Sequence, residues 1–396
     1  MAEAFDAEPF DYGVIGLGAL GSAAVHELAR RGHSVVGLER FELGHRRGAS
    51  HDTSRILRHS YHTPEYVRLT QEAYDDWARL TADSADVRGG EELVTVVGGL
   101  DLFPPDPAIP MADYVDSLSE VGIDFELLDA DAVGERWPQL RLPEGTMGLF
   151  QEDGAIVPAG RGTRLMQQLA LRRGAVLRDR SPVARIRDLG PGGVEVEAGG
   201  TTYRCGGVVV CADAWTNDVL APLDYQVPLT VTLEQATYFA PDRPALFEPG
   251  RLPLWIWMDE PSFYGFPCYG EPTVKAAQDC GGPVVDPDRR TDDVDPQRLA
   301  LLVDHMARVL PGSGRPVRSL RCQYTLTPDR DFVIDRVPGH EAVVVGLGAA
   351  HGFKFAPTFG RLLAELVTGE RDAVSPTFAL DRPALTDPDH AAHWLV

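Results

Sequence analysis

The chain has 396 residues, enough for two or three domains, and its 44% hydrophobic and 24% charged residues are ordinary for a globular protein. A net charge of −22 argues against nucleic-acid binding, because phosphates would be repelled. The acidic start, Met1 to Glu8, lacks the basic and apolar regions of a signal peptide, and no run approaches the roughly 20 apolar residues of a membrane span. A cytoplasmic protein without membrane association is therefore expected. The cysteines at 205, 211, 268, 280 and 322 are odd in number and contain no CxxC pair, which is unlike a disulfide framework.

The first predicted unit is the most informative. Asp11 to Ile15 reads as a buried strand, and Gly16, Gly18 and Gly21 form G-x-G-x-x-G. A helix from Ala19 to Arg31 and a second strand, Ser34 to Leu38, follow and end at Glu39. This is a dinucleotide-binding βαβ fingerprint in its full context. Gly16 permits a tight turn, Gly18 lets backbone approach a pyrophosphate, and Gly21 lets helix and strand pack closely. The helix N-terminus favours phosphates, and Glu39 is placed to accept hydrogen bonds from a ribose. The motif does not say which dinucleotide binds.

The loop Gly48-Ala49-Ser50-His51-Asp52-Thr53-Ser54-Arg55-Ile56-Leu57-Arg58-His59 should run along whatever the first unit holds. Arg55 and Arg58 would share a face if it turns helical, and guanidinium forks suit carboxylates and phosphates. His59 and His62 have no third ligand at zinc spacing. Glu65 to Leu80 reads as an amphipathic helix burying Tyr66, Leu69, Ala73, Trp77 and Leu80.

From about Glu91 to Phe150 the pattern shifts to short strands and Pro-rich loops, an excursion from the first domain. A helix from Arg161 to Arg173 and short strands follow, and Val208 to Cys211 returns the chain to a parallel sheet. A second, aromatic-rich excursion spans Tyr225 to Leu320 and includes a helix from Pro296 to Leu310. Near the end, Val343 to Gly348 reads as a buried strand, and His351 to Pro357 opens a helix running on to Leu366. One more feature stands out. Arginine supplies nearly all the basic charge, and Lys275 and Lys354 are the only lysines. Such sites need a mobile point charge with a tunable pKa, or they are chance survivors of codon bias.

Taken together, the fingerprint, GASHDTSRILRHSY, YGFPCYG followed by Lys275, CQYTLTPDRDFVID and HGFKF resemble the monomeric sarcosine oxidase and N-methyltryptophan oxidase family of flavin-dependent amine oxidases. The resemblance covers nearly the whole chain. It implies an α/β protein: an FAD-binding Rossmann-like domain of the glutathione-reductase type from 1–90, 153–224 and 325–396. An α+β antiparallel-sheet substrate domain would come from 91–152 and 225–324. It implies FAD held covalently through Cys322, and Lys275 beside the flavin, where a fixed positive charge promotes reaction with O2. Arg58 and Lys354 would clamp the substrate carboxylate, and Tyr264 and Tyr324 would wall the cavity. His51 and Arg55 would lie against the flavin. Arg40, Ser50, Gly348, His351, Gly352 and Phe353 would complete its binding, the turn from Gly348 to Lys354 offering N–H groups to its pyrimidine end. Arg321 and the histidines of the 45–59 loop are the candidates for the cationic surroundings that a thiolate at Cys322 needs.

The implied reaction removes a hydride equivalent from the carbon beside the amine of a secondary, N-methyl or cyclic, amino acid. It gives an imine that hydrolyses, with O2 reduced to H2O2 by a protein that is a monomer. An FAD-dependent dehydrogenase using another acceptor, an NAD-dependent dehydrogenase and a non-catalytic flavoprotein are the competing readings. Two departures from the family pattern bear on substrate. Asp279 stands where sarcosine oxidases have histidine, and it either meets a cationic or polar side chain or faces solvent. Trp255 and Trp257 would line the cavity where smaller residues are expected.

Overall fold

The computed structural model describes residues 7–88 and 92–395; the acidic residues 1–6 and the expected domain boundary at 90/91 lie outside the described residues. The architecture is built outward from the strand Glu8–Ile15. This strand pairs in parallel with Val35–Leu38 on one side and Thr201–Val210 on the other. Val176–Arg178 and His340–Leu347 extend the parallel set. All of Val35–Leu38 and the Val208–Val210 stretch are buried, as strands covered on both faces must be. Antiparallel strands Val183–Asp188, Val194–Ala198 and Val333–Val337 complete an eight-stranded sheet. The helix Ala19–Arg30 packs between the helices Ala159–Arg172 and Ala356–Thr368.

A second eight-stranded sheet joins the two excursions. Its order is Arg315–Leu326, Thr230–Ala240, Val274–Asp279, Ser262–Phe266, Leu254–Trp257, Gly99–Phe103, Met147–Gln151 and Glu126–Asp129. Every pairing is antiparallel except that of Leu254–Trp257 with Gly99–Phe103, the parallel seam where one excursion meets the other. The helix Pro296–Val309 packs on this sheet through Leu302, Met306 and Val309.

The stretch carrying Arg55 and Arg58 is not helical. Ser54–Leu57 is a strand, paired with Ala155–Pro158 in a small three-stranded sheet, because β-branched and apolar residues meet across it (Ile56 opposite Ile156). The following helix, Pro64–Arg88, runs longer than the periodicity predicts, and it buries the predicted Tyr66, Leu69, Ala73, Trp77 and Leu80. No helix among the described residues is long and apolar enough to cross a membrane.

Candidate active site

A cavity of about 970 Å³ runs from the fingerprint loop to the second sheet, at the upper end of the range usual for small-molecule sites. At one end the chain turns at Gly16, whose φ of +87° a side chain rarely adopts. A Cβ on Gly21 would sit 1.8 Å from the Gly16 carbonyl, so helix and turn can close only without one. Glu39 accepts hydrogen bonds from Leu17 N at 2.8 Å and Phe41 N at 3.0 Å. Burial opposes its charge, but those bonds and His45 hold its carboxyl below the usual range. Ser50 Oγ takes the free amide of Ala19 at 2.8 Å. Arg40 lies over the Phe41 and Trp215 rings and pairs with Asp288 at 3.1 Å. Of the residues predicted to hold the dinucleotide, all line this cavity except Gly21, whose role is packing.

In the middle of the cavity stand His51, Arg55, Lys275 and Cys322. Arg55 is fixed by the carbonyls of Ala49, His51 and Ser54 and lies over the Phe353 ring. His51 has Nε2 buried without a partner among the described residues, and burial together with Arg55 brings its pKa down to about 4. Lys275 Nζ contacts Asp52 Oδ2 at 2.7 Å, Ser54 O at 3.0 Å and Ser54 Oγ at 3.2 Å. Its pKa is lowered to about 8, burial outweighing the attraction of Asp52. Burial raises the Cys322 thiol, and the opposing cations are Arg55 and Lys275. Arg321, the neighbour of Cys322 in sequence, has its guanidinium donating to the carbonyls of Glu234, Leu233 and Asp293, since successive strand residues face opposite ways, and it acts on the thiol only through its charge.

The far end is polar and buried. Lys354 Nζ donates to Tyr61 Oη at 2.7 Å and His351 O at 3.1 Å, and burial with Arg58 and Arg330 lowers its pKa well below the ordinary lysine value. Arg58 Nη1 meets Asp101 Oδ2 at 2.6 Å and Ser60 Oγ at 3.0 Å. Asp279 is not solvent-facing in function: it ion-pairs with Arg330 at 2.9 Å, and Arg330 Nη1 also donates to the Trp394 carbonyl at 2.7 Å. Tyr264 and Tyr324 stand side by side on the wall, their hydroxyls pushed up by burial. In the Gly348–Lys354 turn, the amides of His351 and Gly352 are spent on Gly348 O, so they are not free to face a ligand. Ala349 and Ala350 sit at φ of +40° and +71°, strain of the kind that collects at functional sites.

The tryptophans contradict expectation. Trp255 is fully buried on the other face of the second sheet, against His305 and the bare Gly265, and Trp257 also packs there. Strand alternation presents Ile256 to the cavity instead. Sequence reading also missed Asp52, Asp101, Arg330 and Tyr61. A carboxylate inside the apolar strand Gly-Leu-Asp-Leu-Phe was the available signal for Asp101. Asp52 and Arg330 lay within the quoted motifs but carried no local sign of their partners.

Comparisons with known proteins show what the chain is similar to. The family described as FAD dependent oxidoreductase matches residues 11–366. A monomeric sarcosine oxidase of Streptomyces avermitilis is 34% identical over 90% of this chain and 93% of its own. An N-methyl-L-tryptophan oxidase of Escherichia coli is 30% identical over 94% and 99%. Among solved structures, NikD, an amino acid oxidase essential for nikkomycin biosynthesis, superposes with a TM-score of 0.83 at 26% identity, covering 98% of this chain and all of that one.

Proposed function

The chain belongs to the FAD-dependent oxidoreductase family, and we propose that it oxidises a secondary (N-methyl or cyclic) amino acid and passes the electrons to O2, releasing H2O2. We further assign the first sheet and its helices, from 1–90, 153–224 and 325–396, to FAD binding, and 91–152 with 225–324 to substrate binding. A monomeric, cytoplasmic enzyme fits this reading.

The cavity fits FAD on its own features: a glycine cradle at Gly16 and Gly18, the Glu39 carboxylate beyond it, and a buried unpartnered His51 Nε2 in the wall. Those residues with Arg40, Ser50, Arg55, Gly348, His351, Gly352 and Phe353 would hold it, and Cys322 would tether it as a thioether. Bound FAD supplies a two-electron acceptor for a hydride equivalent and a donor to O2.

The chain's own residues do the rest. Among the described residues Lys354 has no carboxylate in contact, so an arriving substrate carboxylate favours its ammonium form. Arg58 adds a second cation beside it, and Tyr264 and Tyr324 orient the amine-bearing carbon. Lys275 places a fixed positive charge where reduced oxygen species gain negative charge. The observation that carries the reading is that both lysines of a 396-residue chain are buried in the wall of one cavity that also holds Cys322.

The test has two parts. Acid-precipitated protein keeps its yellow colour, and Cys322→Ser releases it; colourless or fully released pigment from the parent protein overturns the tether. In stopped flow, reduced protein mixed with air-saturated buffer reoxidises within seconds, and peroxide forms with N-methyl or cyclic amino acids. A flavin that stays reduced for many minutes means a dehydrogenase with another acceptor.

A further inference from the structure

Asp52 sits at a crossing point that none of the assigned roles uses. Its Oδ2 lies 2.7 Å from Lys275 Nζ, its Oδ1 accepts from the Tyr238 hydroxyl, and Arg55 Nη1 is 4.0 Å away. Tyr238 is in turn bonded to Thr53 Oγ1 at 3.0 Å, and the Asp52 carbonyl accepts from Gly160 N at 3.0 Å. The residue takes φ of +80°, a left-handed conformation that aspartate tolerates better than most residues. Its carboxylate is thereby held from both sides against a lysine that has almost no exposure.

The charges facing Lys275 can be taken element by element. Asp52, His51 and Arg55 come from the segment after the fingerprint, and Cys322 and Tyr238 come from strands of the second sheet. The Phe266 ring lies 4.8 Å from Nζ and carries no charge. Arg55 opposes the ammonium, and a neutral His51 leaves it unaffected. A thioether at Cys322 carries no charge either. Among the described residues, Asp52 is then the anion in contact with Lys275. Three acceptor contacts, one to Asp52 and two to Ser54, match the three N–H groups of an ammonium.

We propose that Asp52 is the positioning residue that keeps the Lys275 ammonium charged and aimed, and so sets the upper pH limit of the reaction with O2. The inference rests on the assignment of Lys275 to oxygen made above. An opposite charge in contact typically shifts a group by about 1–3 pH units, and the loss of Asp52 leaves burial and Arg55 to act alone on the lysine.

Because the chain has two lysines, selective ¹³Cε-lysine labelling of the flavin-loaded enzyme gives two side-chain signals, which Lys354→Met assigns. In the unmodified enzyme Lys275 is expected to lose its proton at a higher pH than Lys354, which has no carboxylate in contact among the described residues. In Asp52→Asn the Lys275 midpoint falls by about 1–3 pH units while that of Lys354 stays, and Asp52→Glu restores most of the difference. The pH above which stopped-flow reoxidation slows falls in parallel. An unmoved Lys275 midpoint in Asp52→Asn overturns the proposal. If that variant yields no flavoprotein, the order of the two midpoints in the unmodified enzyme decides, and the reverse order overturns it. Reoxidation that is insensitive to Lys275→Met would instead refute the oxygen assignment, while leaving the effect of Asp52 on the lysine measurable.

Discussion

The buried pair of Arg58 and Asp101 gives the sharpest stability prediction. Both side chains are more than nine-tenths buried, 2.6 Å apart, with Ser60 bonded to both. Burial pushes the Asp101 carboxyl up, against the pull of Arg58, Ser60 and their bonds. In Asp101→Asn the guanidinium is left buried without its counter-charge, and removing one partner of such a pair costs about 3–5 kcal/mol. For 396 residues, about 2.1 cal/mol/K per residue gives an unfolding entropy of roughly 0.8 kcal/mol/K. The melting temperature should therefore fall by about 4–6 °C. Replacing both groups, Arg58→Met with Asp101→Leu, should recover most of that loss, since hydrophobic replacement of a buried pair is often neutral. The double variant should still bind substrate poorly, because Arg58 is assigned to the carboxylate. Calorimetry at matched scan rates and steady-state KM measure the two effects separately. A melting temperature in Asp101→Asn within 1 °C of the parent, on the same estimate, would refute the reasoning.

Three further outcomes follow from specific contacts. Gly21→Ala places a Cβ 1.8 Å from the Gly16 carbonyl, so the ratio of flavin to protein absorbance should drop sharply with loss of the bound cofactor. Gly265→Ala drives a Cβ to 2.5 Å from the Trp255 ring, an overpacking cost of about 1–3 kcal/mol that denaturant titration would show. KM should change little, because that contact lies on the face of the sheet away from the cavity. Glu27 supplies a pH-dependent case: burial opposes its charge, but Arg30 and Arg31 outweigh it and hold the carboxyl at about 2 instead of 4.5. Its stabilisation is present above about 4.5 and lost as the pH falls toward 2. The melting difference between parent and Glu27→Gln should accordingly be largest near neutrality and vanish at the acid end.

The substrate-facing chemistry differs from the sequence expectation mainly in its compensation of charge. The resemblance gives Arg58 as a carboxylate clamp and names no partner for it within the chain, and it carries Asp101; of the two alternatives for Asp279, the cationic partner is the one present, Arg330. The end of the cavity thus holds two arginines that each have a carboxylate and one lysine that has none in contact among the described residues. Lys354 is the group there most responsive to an incoming anion.

What the amino-acid order determined alone was everything built from neighbours along the chain. The Gly16–Gly21 turn, the helix behind it, the Glu39 terminus and the buried face of Tyr66 to Leu80 depend on short-range sterics and periodicity, and each formed where its residues required. The pairings decided only by tertiary structure join distant positions: Lys275 reaches Ser54 across 221 residues, Lys354 reaches Tyr61 across 293, and Arg330 reaches Asp279 across 51. Which strand face carried Ile256 and which carried Trp255 likewise depended on how the second sheet was covered. A one-residue change of register exchanges the faces, and no local pattern in that aromatic-rich stretch marks which side a neighbouring element will bury.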